Sequence, residues 1–154
     1  MHLEFMKFYG LKELAGSDNN PTIMRWVKDL GFDKTVLNDE TAWCSLMINW
    51  LAWNLKLERS GKLNARSWLG VGINIPLQDA VLGDIVIFWR ESIDSWKGHV
   101  GLHHGHDKKY IYVGGGNQNN QANTSPYHID SPSHGFMACR RLRTLEEIAR
   151  QTAA

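Results

Sequence analysis

The chain has 154 residues, enough for one domain over residues 1–154 with a sizeable core. Seventeen basic against sixteen acidic residues leave a formal charge of +1, so the sequence carries no nucleic-acid footprint and no acidic signature of disorder. Two cysteines, Cys44 and Cys139, exclude a disulfide-dense scaffold, and no run approaches the roughly 20 apolar residues of a membrane span.

Taken in order, Met1 to Gly10 lacks the uninterrupted apolar core and cleavage site of a signal peptide. Residues from about Leu3 to Leu14 are expected to form a short helix, and Gly16 to Asn19 a loop. Asn20 before Pro21 is a good N-cap and first-turn pair. Ile23, Met24, Trp26, Val27 and Leu30 give the next helix its apolar face, and Gly31 ends it. A polar loop then leads to Thr41, a plausible N-cap. The helix that follows is expected to run to about Leu57. Trp43, Leu46, Met47, Trp50, Trp53 and Leu57 form one apolar row; Cys44, Ile48, Leu51 and Leu55 form a second. Ser45, Asn49, Ala52 and Lys56 leave only a narrow polar stripe. A helix apolar nearly all round is buried, with other elements packed on several sides. Ala65 to Leu69 reads as a short helical turn.

The period then changes to that of strands. Asp84 to Trp89 is a compact apolar run, the signature of a buried strand. Gly98 to His104 is the next, with Val100 and Leu102 on one face and His99, Gly101 and His103 on the other. Gly105 to Lys108 turns the chain, and Lys109 to Val113 returns antiparallel. Gly114-Gly115-Gly116 is expected to break that strand. A polar loop leads to a last strand, Gly135 to Leu142. Thr144 with Glu147 makes a capping box before a C-terminal helix. Helices first and an antiparallel meander after is the α+β class.

Three constellations could carry chemistry. Cys44 in a first helical turn meets unpaired N–H groups and the positive helix end, which favour a thiolate; the alternative is a small buried core cysteine. A thiolate nucleophile needs an imidazole, and the imidazole needs a third group to fix its tautomer. Seven histidines are available. His99, at a strand start behind Gly98, suits that role; otherwise it is a surface strand histidine. His99, His103, His104, His106 and Asp107 suggest a metal site. However, His99 and His103 lie roughly 13 Å apart on a strand at about 3.3 Å per residue, too far to share an ion bound at about 2 Å. No metal site and no cofactor are therefore expected. The glycine run does not lead into a phosphate-binding helix. It is expected instead to let the chain bend so that the Asn117 side chain can accept the second imidazole N–H.

Together these landmarks resemble a family. Asp39-Glu40-Thr41-Ala42-Trp43-Cys44, Ala65-Arg66-Ser67-Trp68-Leu69, Leu82-Gly83-Asp84-Ile85-Val86-Ile87-Phe88, Gly98-His99-Val100-Gly101 and Gly115-Gly116-Asn117-Gln118 look like those of small bacterial and phage proteins in the CHAP and NlpC-type superfamily of papain-like cysteine hydrolases. The resemblance spans roughly Gly10 to Leu142. It implies a papain-like fold with the nucleophile heading a helix packed on an antiparallel sheet. It matches Cys44 to the nucleophile, His99 to the general base and Asn117 to the orienting residue, with Gln118 as competitor for that last role. CHAP domains often carry Glu there and NlpC enzymes His, so the sequence departs from both. The implied substrate is peptidoglycan, cut by an amidase or endopeptidase at an amide in or next to the stem peptide, without a cofactor. Trp43 and Trp68 are candidate groove walls, or else core. A monomer is expected, made without a signal peptide and reaching the cell wall by a non-classical route. Two other classes stay open: a binding module of the same fold without turnover, and an acyltransferase or deconjugase acting on a protein.

Overall fold

In the computed structural model, residues 1–13, 20–33 and 43–153 are described. Thr41 and the loops expected at 16–19 and before the Cys44 helix lie wholly or mostly outside them. The helices are α1 (His2–Met6), α2 (Pro21–Leu30), α3 (Trp43–Asn54) and α4 (Leu145–Ala153). The strands are β1 (Ile73–Ile75), β2 (Ile85–Arg90), β3 (Gly98–His106), β4 (Tyr110–Gln118), β5 (Gln121–His128) and β6 (His134–Arg141). They form one antiparallel sheet in the order β1-β6-β2-β3-β4-β5. The molecule is thus mixed helix and antiparallel sheet, the α+β class. Among the described residues no helix is long and apolar enough to cross a membrane.

Local chemistry sets most boundaries. Asn20 Oδ1 accepts from the Thr22 N–H at 2.8 Å, and Gly31 closes α2 in the left-handed region at φ 74°. At α4, Thr144 Oγ1 accepts from the Glu147 N–H at 3.0 Å while Glu147 Oε2 accepts from the Thr144 N–H at 2.8 Å, a reciprocal capping box. The first helix stops at Met6, well short of Leu14, and Gly10 turns left-handed just beyond.

Every residue of α3 from Trp43 to Ala52 is buried. The expected polar stripe does not meet water. Ser45 Oγ donates to the Lys62 carbonyl at 2.7 Å and accepts from Trp68 Nε1 at 2.9 Å. Asn49 Nδ2 donates to the Lys62 carbonyl at 3.0 Å, and its Oδ1 accepts from the Gly61 N–H at 2.8 Å. Buried polar groups satisfied in this way pin the 60–62 loop and the 3₁₀ helix Ala65–Gly70 to α3. The helix ends at Asn54 rather than near Leu57, because Lys56 turns left-handed at φ 56° and the Leu57 N–H reaches the Ala52 carbonyl.

The sheet carries two cores. Ile85, Ile87, Val100 and Leu102 face α2 and α3 with Phe5, Trp26, Met47 and Leu51. Val86, Phe88, Ile111, Val113 and Cys139 occupy the opposite face, with Tyr127, Ile129 and Phe136 packed against them. The sheet curls so that β5 returns to touch β6 around this second core. Cys44 and Cys139 are therefore on opposite sheet faces, and both are free thiols.

Strand β4 does not break at the glycines but runs through them to Gln118. Each glycine is required by what stands against it. A Cβ on Gly114 would lie 2.2 Å from the His104 ring, and one on Gly116 would lie 2.6 Å from the Trp43 ring. Asn119 and Asn120 both have positive φ, 54° and 60°, the pattern of a two-residue hairpin turn. It leads into β5, which the sequence reading took for a loop. Pro126 suits β5 as an edge strand, and residues 10–13 cover that edge. Gly10 N–H donates to the Ala122 carbonyl at 2.7 Å, Ala122 N–H to the Leu11 carbonyl at 2.8 Å, and Glu13 N–H to the Asn120 carbonyl at 2.7 Å.

Candidate active site

Helix α3 packs on β3 and β4, and its first turn carries Cys44. The backbone amides of Val100, Ser45 and Cys44 act on the sulfur, so the thiol lies beside the start of β3, where His99 stands. Burial is the stronger influence. Cys44 has no exposed surface, and desolvation pushes its thiol above the usual range, although those amides and the Arg90 charge pull the other way. Of the two readings of Cys44, the buried cysteine is the one found: desolvation outweighs the pull of the helix end.

His99 is 4 % exposed. Its Nε2 lies 3.0 Å from Gln118 Oε1. The Gln118 amide can face only one way, because its Nε2 donates to the Val113 carbonyl at 3.1 Å, the Asn123 carbonyl at 2.9 Å and Asn123 Oδ1 at 2.8 Å. Oε1 must then accept from His99, so the proton sits on Nε2 and the Nδ1 lone pair is left as the basic atom. The imidazole also stacks on Tyr127, with ring centroids 4.9 Å apart and 8° between planes. Burial lowers the His99 pKa to about 4; the Gln118 hydrogen bond opposes this, and the Arg90 and His134 charges reinforce it. The resting pair at neutral pH is a thiol and a neutral imidazole.

Asn117 does not make this contact. It sits in a bulge between the Gly115 and Gln118 pairings, left-handed at φ 59°, and lines the cleft in front of His99. That one residue turns the strand so that Gln118 points inward to the ring. The orienting contact expected of Asn117 is made by its neighbour. Trp43 and Trp68 are not groove walls here: at 2 % and 0 % exposure both are core. Trp68 is held by Ser45, and Trp43 Nε1 reaches Glu13 at 3.4 Å.

The cleft has a volume of about 400 Å³ and is lined by Phe88, Arg90, His99, Asn117, Gln118 and Tyr127, with Glu91, Asn119, Ser133 and His134 at its sides. Arg66, on the 3₁₀ helix, stiffens one border. Its guanidinium donates to the carbonyls of Ser92, Ile93 and Lys97 at 2.8, 2.6 and 2.9 Å. A larger, more open groove of about 760 Å³ runs between Trp53, Leu57, Glu58, Arg59 and Leu145. It contains neither a cysteine nor a histidine, whereas the smaller cleft is lined by His99 and His134. His103 Nε2 pairs with His106 Nδ1 at 2.8 Å, and His2 Nδ1 with His104 Nε2 at 3.1 Å. Among the described residues no three His, Cys, Asp or Glu side chains come together to hold a metal ion.

Tyr127, Arg90 and His134 were missed in the sequence. Tyr127 lies on the unpredicted β5, and the Asn119-Asn120 turn was the signal that could have found it. Compared with protein-family models and with curated proteins, the chain gives no match.

Two histidines, the buried His99 and the part-buried His104, set a pH dependence. His99 and His104 are both lowered from 6.5 to about 4, in each case mainly by burial. Between those values the unfolded chain binds protons that the native rings refuse. Stability is therefore complete above about pH 6.5 and falls as pH drops toward 4. Urea denaturation at pH 7.5 and pH 5 should show a lower midpoint at pH 5, and His99→Gln should reduce the difference. Equal wild-type midpoints would contradict the assignment of neutral buried rings.

Proposed function

We propose that the protein is a thiol hydrolase of peptidoglycan amide bonds, with a papain-like fold, Cys44 as nucleophile and His99 as general base. One observation carries the reading. A cysteine in the first turn of a buried helix has its sulfur at the Val100 backbone amide, one residue on from a strand histidine that lines a cleft and whose free ring nitrogen is fixed as Nδ1 by Gln118. A catalytic pair needs this division of labour between the two ring nitrogens.

In this mechanism His99 Nδ1 takes the Cys44 proton as the sulfur attacks the amide carbonyl. Attack from a neutral pair fits the raised thiol and the lowered imidazole, since proton transfer and C–S bond formation are coupled. The Cys44 backbone N–H, in the first helical turn, is the donor for the oxyanion. Collapse of the tetrahedral species breaks the C–N bond. His99 returns its proton to the leaving amine. Water, deprotonated by His99, then attacks the thioester, releasing the carboxylic acid and restoring the thiol. The substrate class rests on the family resemblance, and the cleft's amide groups, Asn117 and Asn119, suit a peptide backbone.

Purified peptidoglycan incubated with the protein should release fragments with new amino and carboxyl termini in or next to the stem peptide. Mass analysis of the soluble products identifies the bond. Intact peptidoglycan after prolonged incubation, with folded protein, would reject the substrate. Complete burial of Cys44 favours a second reading, a binding module of the same fold without turnover. Pull-down with peptidoglycan in the absence of product release would select it.

A further inference from the structure

Resting on the thiol-hydrolase reading, we infer that Arg90 gives the cleft its specificity, by binding a carboxylate on the substrate close to the bond attacked by Cys44. Arg90 ends β2 and lines the same cleft as His99. Four charged or titratable groups line that cleft beside Tyr127: Arg90, Glu91, His99 and His134. The one acid among them is already engaged, because Glu91 Oε1 accepts from Lys97 Nζ at 2.5 Å. The other nearby arginine, Arg66, is occupied by three backbone carbonyls. Arg90 is exposed, its backbone bonds to Lys97 and Ser92, and its guanidinium makes no hydrogen bond or ion pair among the described residues. Its field nevertheless reaches the working groups, acting on Cys44, His99, Tyr127 and His134. A cleft that holds an unpaired guanidinium beside two histidines and no free acid is complementary to an anion. A guanidinium presents a planar fork that matches a carboxylate with two parallel hydrogen bonds. Peptides with a free carboxylate near the scissile amide would therefore be preferred to their carboxamides.

Two small alkylating reagents test this without knowledge of the substrate. Iodoacetate carries the carboxylate, and iodoacetamide is its neutral counterpart. In both, the Cys44 thiol gives its proton to His99, the sulfur forms a C–S bond and iodide leaves. The measured quantity is the ratio of the two rate constants at Cys44, located by peptide mass mapping and divided by the same ratio for glutathione. The wild type should favour iodoacetate by about tenfold or more, the scale of one charge-assisted hydrogen bond. The preference should shrink as ionic strength rises. Arg90→Gln should lose it, and Arg90→Lys should keep part of it. A ratio near that of glutathione in the wild type, or one unchanged by Arg90→Gln, would overturn the role of Arg90 and leave Cys44 as a reactive thiol. Cys44 inert to both reagents would overturn the nucleophile assignment itself, and this inference with it.

Discussion

Replacing Cys44 with alanine is expected to lower peptidoglycan cleavage by on the order of 10⁴-fold or more while the protein stays folded. The sulfur is the atom that becomes bonded to the acyl group, and alanine offers nothing in its place. The structural cost is small. The side chain is fully buried at the start of α3, so its loss removes one heavy atom's worth of packing, about 1 kcal/mol by analogy with a buried methylene. No side-chain hydrogen bond of the Ser45, Asn49 and Trp68 network passes through it. Product release by the variant, against a matched denaturation curve, separates the chemical role from the packing role. A folded Cys44→Ala protein that still releases fragments at the wild-type rate would remove Cys44 from the mechanism.

The second large effect is expected at Gln118. Gln118→Ala strips the acceptor from the buried His99 Nε2 and removes a donor from the Val113 carbonyl, while Asn123 Oδ1 keeps its hydrogen bond from Ser125 Oγ. Unsatisfied buried groups of this kind cost roughly 1–3 kcal/mol each. The imidazole also loses the contact that fixes its tautomer, for which we expect a drop in kcat of about 10- to 100-fold, within the range of supporting contacts to catalytic groups. Gln118→Glu tests the mechanism more sharply. A carboxylate beside the ring stabilises imidazolium, so the His99 pKa rises and the acid limb of the pH–rate profile moves up. Asn117→Gly is the matched control. It removes the side chain while keeping the left-handed φ of 59° easy to adopt. Its loss should be clearly smaller than that of Gln118→Ala, and its acid limb should stay in place. If Asn117→Gly moved the acid limb and Gln118→Glu did not, Asn117 would be the residue that holds the ring.

That exchange between neighbours shows what a sequence can and cannot convey. The parts governed by local chemistry were legible: the Asn20 and Gly31 caps of α2, the Thr144–Glu147 box, the apolar run of β2, and the two faces of β3 with Val100 and Leu102 turned to the helices. The choice between Asn117 and Gln118 depends on a single bulge. One left-handed residue changes the parity of the strand, and side-chain alternation alone gives no sign of it. Strand β5 stayed hidden because Gln121 to His128 is polar, with Pro126 within it. Its inward residues, Ala122 and Tyr127, are too few to make an apolar pattern. The state of Cys44 stayed open between thiolate and buried thiol for a different reason. A helix terminus is visible in the sequence, whereas complete burial is a property of everything packed around it. Desolvation outweighs the amides once the sulfur is sealed in.

The arm at residues 10–13 has a consequence for biosynthesis. Leu11 leaves the ribosome before most of the sheet exists, and its partner Ala122 follows 111 positions later. At about 5–20 residues per second, the arm waits on the order of 6–20 s for a strand to dock against. When β5 does emerge, its outer N–H and C=O groups at 120–122 are claimed, among the described residues, by that earlier segment. Until it closes, two nascent copies can satisfy the same groups by pairing with each other. A segment made 111 positions earlier thus decides whether this edge ends as a monomer surface or as a seam between chains.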